Sequence, residues 1–160
     1  MPNKKNILLS LCSGIMLGLA FPPFNLGFLA YFFLIPLLII FFNEKSLKLK
    51  IIYFYTASII SNAIITHWVA QNSGTSASTA IISYVALCIY YSSFWILFVT
   101  IFHFVEKKIS QKNLSYILIP ILWIFSTEIM RDIGPLAGPW INLSLTQSSY
   151  LRLIQILNIN

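Results

Sequence analysis

LSYILIPILWIFSTEIMRDIGPLAGPWINLSLTQ, residues 114–147, decides how the rest of the chain is read. An apolar run from Leu114 to Met130 ends in a group of charges: Glu128, Arg131 and Asp132. A Gly/Pro turn follows at once through Gly134, Pro135, Gly138 and Pro139, and then Trp140. A run of that length with no charge before Glu128 is a candidate membrane helix. An ionised carboxylate at its centre would cost about 2.5–3.5 kcal/mol by insertion scales, so Glu128 needs a reason to be there. On an α-helix Arg131 shares a face with Glu128, three residues before it, and the two can pair. One reading is an ion pair that ties off a helix end. The other is that Glu128 and Arg131, with Trp140 above them, shape the wall of a substrate cleft at the membrane surface.

Composition agrees with a membrane setting. The 160 residues are 58% hydrophobic and 9% charged, with a mean hydropathy of +0.83. Soluble domains run at about 45–50% apolar and about 25% charged. The formal net charge is +6. The basic residues sit in short loops between apolar runs, and no basic patch is interleaved with exposed aromatics. Topology therefore explains them better than nucleic-acid binding does.

The expected architecture is an all-α, polytopic membrane helix bundle of about five spans, read at 7–21, 26–42, 51–70, 80–104 and 114–131. An outer loop and the start of a further helix occupy 132–160. Span one is short because Pro22-Pro23 cannot continue a helix. Its Gly14 and Gly18 form a small-xxx-small ridge suited to close helix packing. Lys4, Lys5 and the apolar stretch to Ala20 also resemble a cleavable secretory signal, and Leu9–Cys12 loosely resembles a lipoprotein signal. The next run is equally apolar, which favours a helical hairpin. Pro36 falls inside span two. Asn62, inside span three, wants a hydrogen bond to another helix.

If the helices alternate in direction, Lys4, Lys5, Lys45, Lys48, Lys50, Lys107, Lys108 and Lys112 share one side, and Arg131 and Arg152 take the other. The lysine side is then cytoplasmic, with the N-terminus there. FPPFN (21–25), QNSGTSAST (71–79) and 134–147 face outward.

Several chemistries find no support. The phosphate-loop, zinc-protease and serine-hydrolase motifs are missing from the sequence. Cys12 and Cys88 lie in apolar runs and read as small hydrophobes, and His67 and His103 stand alone. No cofactor, metal site or catalytic residue is expected in this chain.

The order of motifs resembles the N-terminal membrane domain of bacterial apolipoprotein N-acyltransferases. The resemblance rests on Leu19-Ala20-Phe21-Pro22-Pro23-Phe24, on Trp68 closing the third helix, on Leu122-Trp123, Glu128 and Arg131, and on Pro139, Trp140 and Gln147. It runs from about Ile7 to Asn160. Asp132, Gly138, Leu145 and Thr146 depart from the family's pattern.

What the resemblance implies is an enzyme of lipoprotein maturation in the bacterial inner membrane. It takes an acyl chain from a phospholipid donor, holds it as a thioester, and passes it to the N-terminal Cys of an apolipoprotein. The Glu-Lys-Cys set belongs to a nitrilase-like domain expected after Asn160. Cys12 and Cys88 do not correspond to its nucleophile. The chain then reads as a fragment or truncated relative, inactive alone. Glu128, Arg131, Trp140 and Gln147 become candidates for a lipid cleft, and Pro22, Pro23, Trp68, Trp123 and Pro139 structural markers. The alternative is a small non-enzymatic membrane protein, such as a transporter subunit or scaffold.

Overall fold

The computed structural model describes residues 2–109, 112–129, 133, 141–148 and 150. Five α-helices carry it: α1 (Lys4–Ala20), α2 (Leu34–Asn43), α3 (Leu47–Ile65), α4 (Ala77–Lys108) and α5 (Lys112–Trp123). Side-chain caps fix three of the starts. Asn3, Ser46 and Ser76 each accept a backbone N–H from the first turn of the helix that follows, α1, α3 and α4 respectively. Each such cap satisfies a donor that the helix itself cannot.

Helix directions follow from which residues meet. Gly14 and Gly18 of α1 face Ala57, Ile60 and Ile64 of α3 in rising order, so the two run parallel. Along α3 and α4 the order reverses. Lys50 meets His103, Asn62 donates to Ser92 at 3.1 Å, and Tyr84 donates to the Ala63 carbonyl at 2.9 Å. Phe41 and Phe42 near the end of α2 reach Phe102 and Tyr116, whereas Phe33 at its start reaches Trp95 and Trp123. Helices α2 and α4 therefore run opposite to α1, α3 and α5. The starts of α1, α3 and α5 and the ends of α2 and α4 gather at one end of the bundle. That end carries Lys4, Lys5, Lys45, Lys48, Lys107 and Lys108, as alternation required.

The α1–α3 seam is as close as the Gly14/Gly18 ridge suggests. A Cβ on Gly14 would overlap the Ala57 carbonyl oxygen, and one on Gly18 would lie 2.8 Å from the Ile64 Cβ. The middle of the bundle is aromatic. Phe41 stacks on Phe102 at 4.3 Å, and Trp123 meets Trp95 at 4.9 Å and Phe98 at 5.1 Å. Outward, Ile7, Leu8, Ile35, Ile82, Ile89, Ile117 and Ile121 are exposed. Large apolar side chains thus stand outward on four of the helices, which a lipid phase would accommodate.

Among the described residues only α4 is by itself both long and apolar enough to cross a membrane; Gly27–Asn43 and Leu114–Glu128 are shorter apolar helical stretches. The stretch read as the second span, 26–42, corresponds to the apolar helical stretch Gly27–Asn43. It divides into a 3₁₀ turn at Gly27–Tyr31 and α2, with Pro36 in the first turn of α2. Proline lacks an N–H, and the first turn is where none is needed. Span three starts earlier and ends earlier than expected, and His67–Gln71 forms a separate 3₁₀ turn. Span four is longer at both ends.

The fifth helix changes character. After Trp123 the chain widens into a π-helical turn, Ile124–Ile129. Ser126 donates to the Leu122 carbonyl at 2.6 Å and Thr127 to the Trp123 carbonyl at 2.7 Å. Hydroxyls thus take up carbonyls that a tight α-turn would have paired with backbone. Glu128 therefore lies in a π-turn and not in the α-helix assumed for it, and Arg131 lies outside the described residues.

Lys50 is a further correction. Expected in a solvated basic loop, it sits in the first turn of α3 and is only 3% exposed. Its Nζ lies 3.2 Å from His103 Nδ1 and 3.7 Å from the centre of the Phe41 ring. The imidazole lone pair and the ring face are two neutral groups that favour a cation.

Candidate functional site

At the lysine-poor end, α1 ends where prolines must end it. The Phe21 N–H reaches back to Gly18, and Asn25 takes a left-handed φ of 55°. Asparagine tolerates that conformation better than most residues. The Leu26 N–H then bonds to the Leu19 carbonyl at 3.1 Å, folding the segment onto its own helix.

On this shelf rests the segment from Ile141 to Ser148. Asn142 accepts the Ser144 N–H, and Leu143–Gln147 forms a 3₁₀ turn. Thr146 places its carbonyl directly against Gly27, where a Cβ would collide. Gln147 Nε2 donates to the Gly27 carbonyl at 3.1 Å and to Thr146 Oγ1 at 2.8 Å. The Tyr31 hydroxyl donates to Gln147 Oε1 at 2.8 Å. Both ends of the Gln147 amide are therefore committed to holding the segment down.

Two cavities flank the docked segment. The inner one, about 30 Å³, is lined by Ser61, Asn62, Tyr91, Trp123, Thr127 and Glu128, with Ile141 and Leu143 also in its wall. The outer one, about 390 Å³, is lined by Phe21, Pro22, Ile65, Trp68, Leu145 and Ser148. Its size falls within the range of small-molecule sites, and its lining is apolar except for the serine. Phe21 and Ile65 belong to both walls.

A family model matches most of the chain's sequence. A model described as the apolipoprotein N-acyltransferase N-terminal domain covers residues 13–160. The chain belongs to that family. No curated protein and no solved structure matches it. Membership places the chain in an N-acyltransferase lineage concerned with lipoproteins, and the family's setting is the membrane.

The motif residues divide as follows. Pro22 and Trp68 line the outer cavity. Trp123 and Glu128 line the inner one, Glu128 half-buried in the π-turn. Pro23 lies in the turn beyond α1. Gln147 lines neither cavity and instead fastens the segment that closes both. Arg131, Pro139 and Trp140 lie outside the described residues, as do Asp132, Gly138 and the chain from Leu151 onward. The acid–arginine corner is consequently seen from its Glu128 side alone.

Sequence reading misses Tyr31 and Thr127. Tyr31 looks like one more aromatic at the end of a span, and nothing local distinguishes it. It meets a residue 116 positions away. Thr127 carries a usable signal, since a hydroxyl next to a carboxyl is unusual in an apolar run. Among the described residues no three His, Cys, Asp or Glu side chains come together as metal ligands, and Cys12 and Cys88 stand apart, one exposed and one buried.

Proposed function

We propose that this chain is the membrane-embedded part of a phospholipid:apolipoprotein N-acyltransferase of the bacterial inner membrane. It crosses the bilayer five times, lysines toward the cytoplasm, and its outer cavity receives an acyl chain of the phospholipid donor. The observation that carries this is an apolar cavity at the lysine-poor end, walled by Pro22 and Trp68, two of the residues on which the sequence resemblance rests. Helix α1 is 17 residues long, about 25 Å at helical rise. A hydrocarbon core is about 30 Å thick, so the polar cap and the 21–25 turn complete that crossing. Thioester chemistry needs an activated Cys with a base beside it. Cys88 is buried against Thr66, and Cys12 is exposed beside Met16. Neither is such a nucleophile, and acyl transfer belongs to a catalytic domain this chain supports.

Photo-crosslinking tests the reading. In vesicles containing a phospholipid with a photoactivatable group near the acyl ester, adducts are expected to concentrate on Phe21, Trp68 and Leu145. The chain alone is expected to transfer no acyl group to a diacylated peptide. Adducts spread evenly over the lipid-facing surface, or acyl transfer by the chain alone, would contradict it.

A further inference from the structure

Two basic side chains are buried against each other at the lysine-rich end of the bundle. Lys50 enters from the first turn of α3 and His103 from near the end of α4, and both are buried. Lys50 Nζ lies 3.2 Å from His103 Nδ1 and 3.7 Å from the centre of the Phe41 ring. An ammonium N–H and a bare imidazole nitrogen make a hydrogen bond at that distance, and two N–H groups aimed at each other do not. The face of Phe41 favours the charge on Lys50. His103 then keeps Nδ1 bare and carries its proton on Nε2. Charges of both signs lie near. Glu106 and Lys107, on α4, act on both groups, and Glu44, just beyond α2, acts on Lys50. The Glu44 carboxylate also accepts the Ser46 N–H. Lys4 and Lys5 of α1, with Lys45, Lys48 and Lys108, are exposed, and α5 brings Tyr116 against Phe42.

We propose that Lys50 and His103 form a pH-sensitive joint, closed while the pair holds one proton and opened when His103 takes a second. The second proton would set two like charges against each other in a buried place. In the unfolded chain water solvates both groups, and each takes its own proton. Histidine is the side chain whose charge ordinarily changes between about pH 5 and 8. On acidification through that range the unfolded chain therefore binds one more proton than the closed joint, and stability falls as pH falls. The joint ties α2, α3 and α4 at one point. Its opening parts the lysine-rich end and leaves the Asn62–Ser92 bond, farther along the same helices, in place. None of this rests on the lipid reading of the outer cavity, which lies at the opposite end.

Thermal unfolding of the full chain in detergent, at about pH 7.5 and about pH 5.5, tests the joint on both sides of the imidazole range. The chain has two histidines, so His67→Gln supplies a background in which His103 is the only imidazole. In that background one refused proton at the lower pH changes the folded-to-unfolded ratio about tenfold, and the midpoint should fall by about 3–6 °C. Adding His103→Gln should abolish the fall, because a glutamine oxygen can still accept from Lys50 and takes no proton. Should that variant fail to fold, nitrogen-15 NMR of labelled histidine in the His67→Gln protein reads the ring directly. It should show Nδ1 bare and Nε2 protonated at the higher pH. A midpoint that acid leaves in place in the His67→Gln protein overturns the proposal. So does a fall that survives His103→Gln, or an Nδ1 already protonated at the higher pH.

Discussion

Replacing Gly14 by leucine will force α1 away from α3 and lower the protein's unfolding midpoint. The reason is local and steric. A Cβ at this position already overlaps the Ala57 carbonyl, and the Ile60 Cβ is 3.0 Å away. Neither neighbour can swing aside, since one is helix backbone and the other is attached to it. Overpacking of this kind typically costs about 1–3 kcal/mol, and a leucine against backbone belongs at or above the upper end. Total stabilities are about 5–15 kcal/mol. In detergent the unfolding midpoint should fall by about 6–12 °C, taking about 2–4 °C per kcal/mol for a chain of this size, and the monodisperse gel-filtration peak should shrink. Cys12→Leu lies on the exposed side of the same helix and should change stability by less than about 0.5 kcal/mol. If Gly14→Leu melted with the wild type, the α1–α3 seam would be wrong.

Gly27→Leu should act on a different part and leave the bundle standing. The Thr146 carbonyl occupies the space a side chain would need, and Tyr150 Cε2 lies 3.0 Å from it. The segment from Ile141 to Ser148 must then lift, breaking the bonds of Gln147 to Gly27 and Tyr31. Each such bond contributes about 0.5–1.5 kcal/mol net, and every 1.4 kcal/mol changes an equilibrium about tenfold. The segment should accordingly be cut by a soluble protease at least ten times faster than in the wild type, while the midpoint of the helices barely moves. Because Leu143 and Leu145 each wall a cavity, lipid adducts on Phe21 should fall in the same variant. An unchanged cleavage rate would mean that the segment is not held at Gly27.

Much of this fold is legible in the amino-acid order. The Pro22-Pro23 break, the glycine ridge on α1 and the need of Asn62 for a partner are local statements, and local chemistry decides them. Asn62 does reach across to Ser92. The rest depends on contacts between distant residues or on small differences in backbone winding. Nothing near Lys50 in sequence says that His103 and Phe41 will close over it. An apolar run with Pro120 inside looks α-helical throughout, and the π-turn at Ile124–Ile129 depends on how Ser126 and Thr127 compete for carbonyls. Gln147 shows the same limit at the candidate site. A glutamine in a family motif suggests a ligand, whereas here its amide fastens a loop to Gly27 and Tyr31, both more than a hundred residues away.

The orientation of the bundle in the membrane bears most directly on the whole account, and thiol labelling measures it. In a Cys12→Ser, Cys88→Ser background, single cysteines are placed at the exposed positions Lys48, Ser73 and Ser144, and intact cells are treated with a membrane-impermeant maleimide that the outer membrane admits. Ser73→Cys and Ser144→Cys should label in intact cells, and Lys48→Cys only after the inner membrane is permeabilised. Labelling of Lys48→Cys from outside, with Ser144→Cys protected, would contradict it.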